Sequence, residues 1–276
     1  MRVVNKMIFG TLFSGLLVIT FISKGYSQEI PAGFNAGSGY KLVWQDEFNE
    51  DGKPDDANWV YDIGNGQNGW GNQELQYYTN RPENVQCKDG KLTICAKKEM
   101  YEGFGYTSTR MKTLGKYSFT HGILEIRAKL PGGTGIWPAL WMLGENITSV
   151  GWPSCGEIDM MEYAGKDPDL IHGSIHNNSS FGNTVNTKTK IYKGVEEEFH
   201  VYSVEWTNKE IRFMVDGDNY YTYKPSEYNA DTWPFDKPAF IIMNIAVGGG
   251  FGGPVVDDIC PQKMIIDYVR VYQKAR

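Results

Sequence analysis

The chain is short of cysteine, of helical periodicity and of positive charge, and each shortage narrows what it can be. Four cysteines, at 87, 95, 155 and 260, are spread over 276 residues. Their spacing is neither a disulfide framework nor a zinc-ligand pattern. Cys87 and Cys95 flank an Asp89-Gly90 turn signal, which sets Cys87 opposite Leu92 and Cys95 on the other side of the sheet. Free, buried thiols are expected, and a Cys155–Cys260 bridge stays open. Apolar residues at helical spacing are almost absent, which argues against a helical fold. No repeat, low-complexity block or linker follows the first 27 residues.

The one long apolar stretch is at the start. Arg2 and Lys6 precede a mostly apolar run from Met7 to Ile22, and Gly25 and Ser27 supply small residues behind it. This is the pattern of a cleavable export signal, residues 1–27, followed by a catalytic domain over 28–276. The run is short for a membrane span and is broken by Thr, Ser and Gly. A lipid anchor needs a cysteine just behind the run, and the first is Cys87. A released protein, secreted or periplasmic and monomeric, is expected. Loss of Arg2, Lys6 and Lys24 takes the net charge from −6 to −9. Such a surface disfavours nucleic acid and, more weakly, a polyanionic sugar. Aromatic residues make up 14% of the chain, with eight Trp, enough to suggest exposed flat platforms beyond the needs of a core.

Strand periodicity is common. Leu124, Ile126, Ala128 and Leu130 alternate with Glu125, Arg127 and Lys129, the signature of a half-buried strand. Ile211, Phe213 and Val215 lead into an Asp216-Gly217 hairpin signal, with Tyr220–Tyr223 as the return strand. Phe199–Trp206, Ala239–Val247 and Met264–Tyr272 are further strands. Many short strands with turns between them define an all-β class, a sandwich of two antiparallel sheets. Gly64–Gly69 matches a dinucleotide-binding pattern by letter, but no helix follows and its neighbours are Asn, Gln and Trp, so it is a loop. Gly248–Gly253 is a second loop, in which the backbone can approach something closely, a ligand among the candidates.

The chemistry concentrates in Glu157-Ile158-Asp159-Met160-Met161-Glu162. On a regular strand Glu157 and Asp159 share a face, and Glu162, five residues from Glu157, falls on the other. One extra residue absorbed by a β-bulge at Met160-Met161 restores the parity. Three acids in a row repel one another, so the arrangement serves chemistry or a metal better than stability, a solvated acidic strand being the bland alternative. Glycoside hydrolysis with retention needs two carboxyl groups roughly 5–5.5 Å apart, one as nucleophile and one as acid, then base. Asp159 between them can share a proton with the nucleophile. Its negative neighbours raise the pKa of Glu162 and keep it protonated for donation.

Gly156–Glu162 resembles the active-site strand of glycoside hydrolase family 16, in its laminarinase-like branch. Trp44–Asn49 (WQDEFN), Gly69–Thr79 (GWGNQELQYYT), Trp137–Leu143 (WPALWML), His172–His176 (HGSIH), Asn244–Gly249 (NIAVGG) and Asp267–Gln273 (DYVRVYQ) resemble further stretches of that family, in its order. The resemblance spans about residues 40–273. It implies a β-jelly roll with a substrate cleft on its concave face, Glu157 as nucleophile, Asp159 as its helper and Glu162 as acid/base. The extra Met161 separates this pattern from the shorter one of lichenase-type and xyloglucan-active branches. It occurs in laminarinases and also in agarases and carrageenases. The flanking stretches and the acidic surface favour a neutral β-1,3-glucan or mixed β-1,3-1,4-glucan as partner over agarose, porphyran or carrageenan.

Around the acids, Trp137 and Trp141 share strand parity and suit a subsite floor, since indole faces match the apolar faces of sugar rings. Trp152, in a Gly-Trp-Pro loop, is a candidate platform at the cleft edge, and Trp70 a candidate cover. Asn72, Glu74 and Arg81 are candidate hydrogen-bonding partners of sugar hydroxyls, with a surface salt bridge the alternative for Arg81. The resemblance places His176 near the acid/base and gives Asn244 a role in binding sugar or orienting a carboxylate; His172 is the weaker histidine. Zinc on His172, His176, Glu157 and Glu162 lacks a known ligand spacing. No catalytic cofactor is expected. A structural calcium, frequent in the family, has Glu47, the Gly90 backbone and Asp267 as candidate ligands, because hard oxygen donors suit it. Asp267 shares strand parity with Ile265, Val269 and Val271, so a hydrogen-bonded or salt-bridged acid is the alternative. A non-catalytic sugar-binding module is the rival from another class, and the intact acids argue against it.

Overall fold

Alternating strands bury one face each, and two such faces must find one another. The computed structural model describes residues 39–256 and 258–275, and the export-like segment 1–27 lies outside them. Among the described residues the strands form a ten-stranded and a seven-stranded sheet, antiparallel except where Gln76–Tyr78 runs parallel to Phe104–Ser108. The core lies between the sheets. Leu124, Ile126, Tyr202, Val204, Phe213, Val269 and Val271 come from the larger sheet, and Leu140, Met142, Ile158, Ile175, Ile241, Met243 and Ile245 from the smaller. Each such side chain contributes about 1.5–3 kcal/mol by leaving water. No helix among the described residues exceeds five residues, and none is long and apolar enough to cross a membrane.

The turn signals are realised. Asp89 and Gly90 have φ of 52° and 69°, and Asp216 and Gly217 of 50° and 79°, the left-handed pairs of a two-residue hairpin turn. Cys87 pairs with Leu92 as expected. All four cysteines are free, which closes the question of a Cys155–Cys260 bridge. Cys155 instead packs with Leu143, Phe240 and Ile242 in a small cluster apart from the main core. Gly248 and Gly249 approach protein, not open space: a Cβ on Gly248 would sit 2.8 Å from Leu75, and one on Gly249 2.9 Å from the Asn72 carbonyl oxygen.

The smaller sheet carries the acids. Its order is Thr187–Ile191, Leu170–His176, Glu157–Tyr163, Ile136–Gly144, Ala239–Val247, Arg110–Lys112, Val60–Asp62. The acidic strand is bulged. Ile158 and Met161 pair with Met142 and Leu140, so Asp159 and Met160 together oppose Trp141. On the other side Asp159 and Glu162 pair with Ser174 and His172, so Met160 and Met161 oppose Gly173. Ile158, Met160, Met161 and Tyr163 all lie in the core, which a strict period of two forbids. The three acids are left on the outer face.

Asp267 departs from its expected parity for the same kind of reason. The register of Gln262–Lys274 shifts between Ile266 and Tyr268. Met264 and Ile266 face the core before the shift, and Val269 and Val271 after it. Asp267 is the residue at the irregularity and escapes the apolar face.

Deleting Met161 should return the acidic strand to period two, with Glu162 kept on the outer face at an even separation from Glu157, and remove the bulge together with one core side chain. We expect a loss of about 2–5 kcal/mol in unfolding free energy, as for a buried side chain removed from a packed core. Met161→Leu, which keeps the residue count, should cost less than about 1.5 kcal/mol. Urea unfolding of both variants checks this.

Candidate active site

Three neighbouring strands aim their outward residues at one place. The acidic strand brings Glu157, Asp159 and Glu162, Ile136–Gly144 brings Trp137 and Trp141, and Leu170–His176 brings His172, Ser174 and His176. Asp159 is buried, and Glu157 and Glu162 are half-buried. Each acid has its own partners. The Trp152 indole N–H donates to Glu157 Oε2 at 2.9 Å, and that of Trp137 donates to Glu162 Oε1 at 3.2 Å. His176 Nε2 lies 3.0 Å from Asp159 Oδ2 and 3.7 Å from Glu157 Oε1, so its contacts are on the Glu157 side of the row.

Burial pushes all three carboxyls above their ordinary range. Asp159 and Glu162 raise Glu157 further, while His176 and Arg110 oppose this. Glu162 raises Asp159, and a hydrogen bond with Glu157 opposes it. On Glu162 the opposing influences are His176 and hydrogen bonds from Trp137 and Ser174. Such a row titrates as a unit.

The floor beside the acids is tied to a buried polar network. Trp141 donates to Asn244 Oδ1 at 2.8 Å, and Asn244 Nδ2 donates to the Tyr78 hydroxyl at 3.1 Å. The Tyr78 hydroxyl and Gln76 Nε2 both donate to Glu74 Oε2, at 3.2 and 2.6 Å. Gln76 Oε1 accepts from the Val247 backbone N–H at 2.7 Å. Asn244 therefore orients a tryptophan rather than a carboxylate, and Glu74 is a buried anchor. Asn72 is exposed and donates to Glu74 Oε1 at 3.3 Å. Trp70 and Trp141 both lie against the Arg110 guanidinium, 4.7 Å from each ring, and Arg110 Nε is 3.0 Å from Asp62 Oδ2. Arg110, Tyr78 and Gln76 escape sequence reading because their strands of three residues are too short to show alternation.

Arg81 takes its salt-bridge alternative. It pairs with Glu99, donates to Asn84 Oδ1 at 3.1 Å, and sits 4.1 Å over the Tyr101 ring. His172 packs edge-on to Phe251 at 5.0 Å, and Phe251 also touches Trp137 at 5.1 Å.

The candidate calcium ligands are engaged by cations of the protein. Arg270 holds Glu47 in a two-point contact at 2.7 and 2.9 Å. Arg127 holds Asp267 Oδ2 at 2.6 Å, and Lys91 is 3.9 Å from its other oxygen. Two acids committed to different arginines do not fit a shared divalent ion. Glu157, Asp159 and His176 do bring one ligand atom each within 4.8 Å of one another, a composition and spacing that can hold a metal ion.

Two glutamates with an aspartate between them, on one face of a bulged strand and flanked by indoles, define a carbohydrate-cleaving enzyme on a two-sheet β-jelly roll. The chain belongs to glycosyl hydrolases family 16, whose model matches residues 72–270. It is 46% identical over 252 residues to a beta-glucanase of Rhodothermus marinus, covering 85% of each chain. Among solved structures it is similar to a laminarinase from Flavobacterium sp. UMI-01, with 49% identity, 84% of this chain and 100% of that one covered, and a TM-score of 0.80. It is also similar to the laminarinase from Rhodothermus marinus, with 45% identity, 86% and 98% coverage, and a TM-score of 0.82.

The acidic row has a stability consequence. Each carboxyl has a folded pKa above its unfolded value, so the folded state holds more protons once the pH passes the unfolded value. Stability therefore falls as pH rises through that window. Glu157→Gln and Asp159→Asn should melt above the wild type at pH 7. The advantage should shrink toward about pH 3, where the wild-type groups are protonated in both states. Thermal unfolding across that range measures it.

Proposed function

We propose that this protein is an endo-β-1,3(4)-glucanase that cleaves with net retention, Glu157 being the nucleophile and Glu162 the acid/base. The observation that carries the reading is the bulge, which puts two glutamates on one outward face with Asp159 between them. The Trp152 N–H and His176 favour the charged form of Glu157. Asp159, raised by burial and by Glu162, is suited to hold a proton and share it with Glu157. Glu162, raised by burial, is suited to stay protonated until it is needed.

In the first step a Glu157 oxygen attacks the anomeric carbon, and the Glu162 proton passes to the departing glycosidic oxygen. In the second, Glu162, now a carboxylate, takes a proton from water. That water attacks the same carbon, and Glu157 leaves with its electron pair. Trp137 and Trp141 supply apolar faces for the sugar rings. The likeness to laminarinases and a beta-glucanase supports a neutral β-glucan as the substrate. The basic, apolar and small-residue pattern of residues 1–27 supports export to the cell exterior or periplasm. A sugar-binding role without turnover has no use for the paired glutamates.

Glu157→Gln should abolish release of oligosaccharides from laminarin and barley mixed-linkage glucan while still binding them. Glu162→Gln should lose about 10²–10⁴ in turnover. Wild-type enzyme should release little from xyloglucan or agarose, and the first-formed product should be the β-anomer by NMR; an α-anomer would overturn retention. Trp137→Phe removes a hydrogen bond that favours charged Glu162, so Glu162 should keep its proton to higher pH. The alkaline limb of the pH–kcat profile should then move upward.

A further inference from the structure

Exposed apolar side chains concentrate on two loops at the Glu157 end of the site. Val150 and Trp152 lie before the acidic strand, and Phe181 and Val185 lie between Leu170–His176 and Thr187–Ile191. Trp152 is 45% exposed and Phe181 51%. Their rings meet edge to face, with centroids 5.4 Å apart and planes at 80°. Adjacent apolar exposure of this kind marks a surface that something covers.

Neither ring is exposed because its loop is loose. The Trp152 indole is held by its hydrogen bond to Glu157. The Phe181 loop hangs on Asn177, which is fully buried. Its Oδ1 accepts from the Ser179 and Ser180 backbone N–H groups, and its Nδ2 donates to the Tyr223 hydroxyl and the Thr232 carbonyl. Thr184 Oγ1 closes the loop by donating to the Ile175 carbonyl at 2.9 Å. Ser154 Oγ donates to Asn178 Oδ1 at 2.9 Å and joins the two loops. The corner is thus largely preformed, which lowers the ordering cost of filling it.

We propose that Phe181 and Trp152 form one aromatic subsite that takes a β-linked glucosyl unit close to the bond being cleaved, and that Phe181 sets its affinity. This rests on the glucanase reading above. The corner is continuous with the acids through the Trp152–Glu157 hydrogen bond. Two rings near a right angle offer a sugar one surface for its apolar C–H face and a second wall beside it. The charged group tied to this corner is Asp231, which accepts from Asn178 at 3.1 Å. A carboxylate there suits a neutral glucan better than a sulfated one. Phe181 is a specificity residue, since it touches Trp152 and not the reacting carboxylates.

The test compares wild type, Phe181→Ala and Phe181→Tyr on laminari-oligosaccharides of three to six glucose units. Phe181→Ala should raise KM by about three- to tenfold for the chains that reach the corner, with kcat within twofold. Phe181→Tyr should restore KM, and the melting temperature should not move. Binding of laminarihexaose to Glu157→Gln, read by tryptophan fluorescence, should weaken by the same factor when Phe181→Ala is added. Unchanged KM and binding at every length would overturn the proposal. So would a fall in kcat alone, since that places the effect on Glu157. If the wild type releases nothing from any β-glucan, the glucanase reading itself fails, and that failure appears before any substitution is made.

Discussion

The period of two in a β-strand is the constraint on which the site depends. Two glutamates five residues apart cannot share a face of a regular strand, because an odd separation sends them to opposite sides. The bulge between Asp159 and Glu162 resolves this by letting Met160 and Met161 both enter the core. The bulge thus acts twice. It keeps the apolar face continuous across the register shift, and it turns Glu162 back toward Glu157. The neighbouring strands keep strict alternation, so Trp137 and Trp141 remain outward while Leu140 and Met142 remain inward.

Crowding the acids works against the fold and for the chemistry. Burial disfavours the ionised form of all three carboxyls, and their mutual repulsion adds to it. What offsets this is selective. Trp152 serves Glu157, Trp137 and Ser174 serve Glu162, and His176 sits against Asp159. Different partners on chemically identical glutamates separate their roles, which is the general way one site runs both nucleophilic and acid chemistry near neutral pH. Sites of this kind trade stability for function.

Beside the acids lies a polar shell that fixes the flanking indoles. Trp141 is held through Asn244 and Tyr78 to Glu74, and its other side meets the Arg110 guanidinium. Trp70 covers Arg110 from another direction. A satisfied polar network of this sort rigidifies what it touches. The glycines of 248–249 allow the loop carrying Glu74 to pack closely against that end of the sheet.

What was legible in the sequence is what a single strand or turn encodes. Alternation over Gly122–Lys129 and Ile211–Val215, the Asp-Gly turns, the run of acids and the need for one extra residue at Met160-Met161 are all local. They determined an all-β sandwich and an outward row of three acids. What only the tertiary structure decided lies between segments far apart in the chain. Glu47 meets Arg270 across 223 residues, Asn244 meets Tyr78 across 166, and Ser154 meets Asn178 on a neighbouring loop. Asp267 was misplaced because parity read straight along its strand cannot detect a register shift set by the strand beside it. Side-chain parity is a property of one strand, whereas hydrogen-bond partners are chosen by which strands the sheet sets side by side.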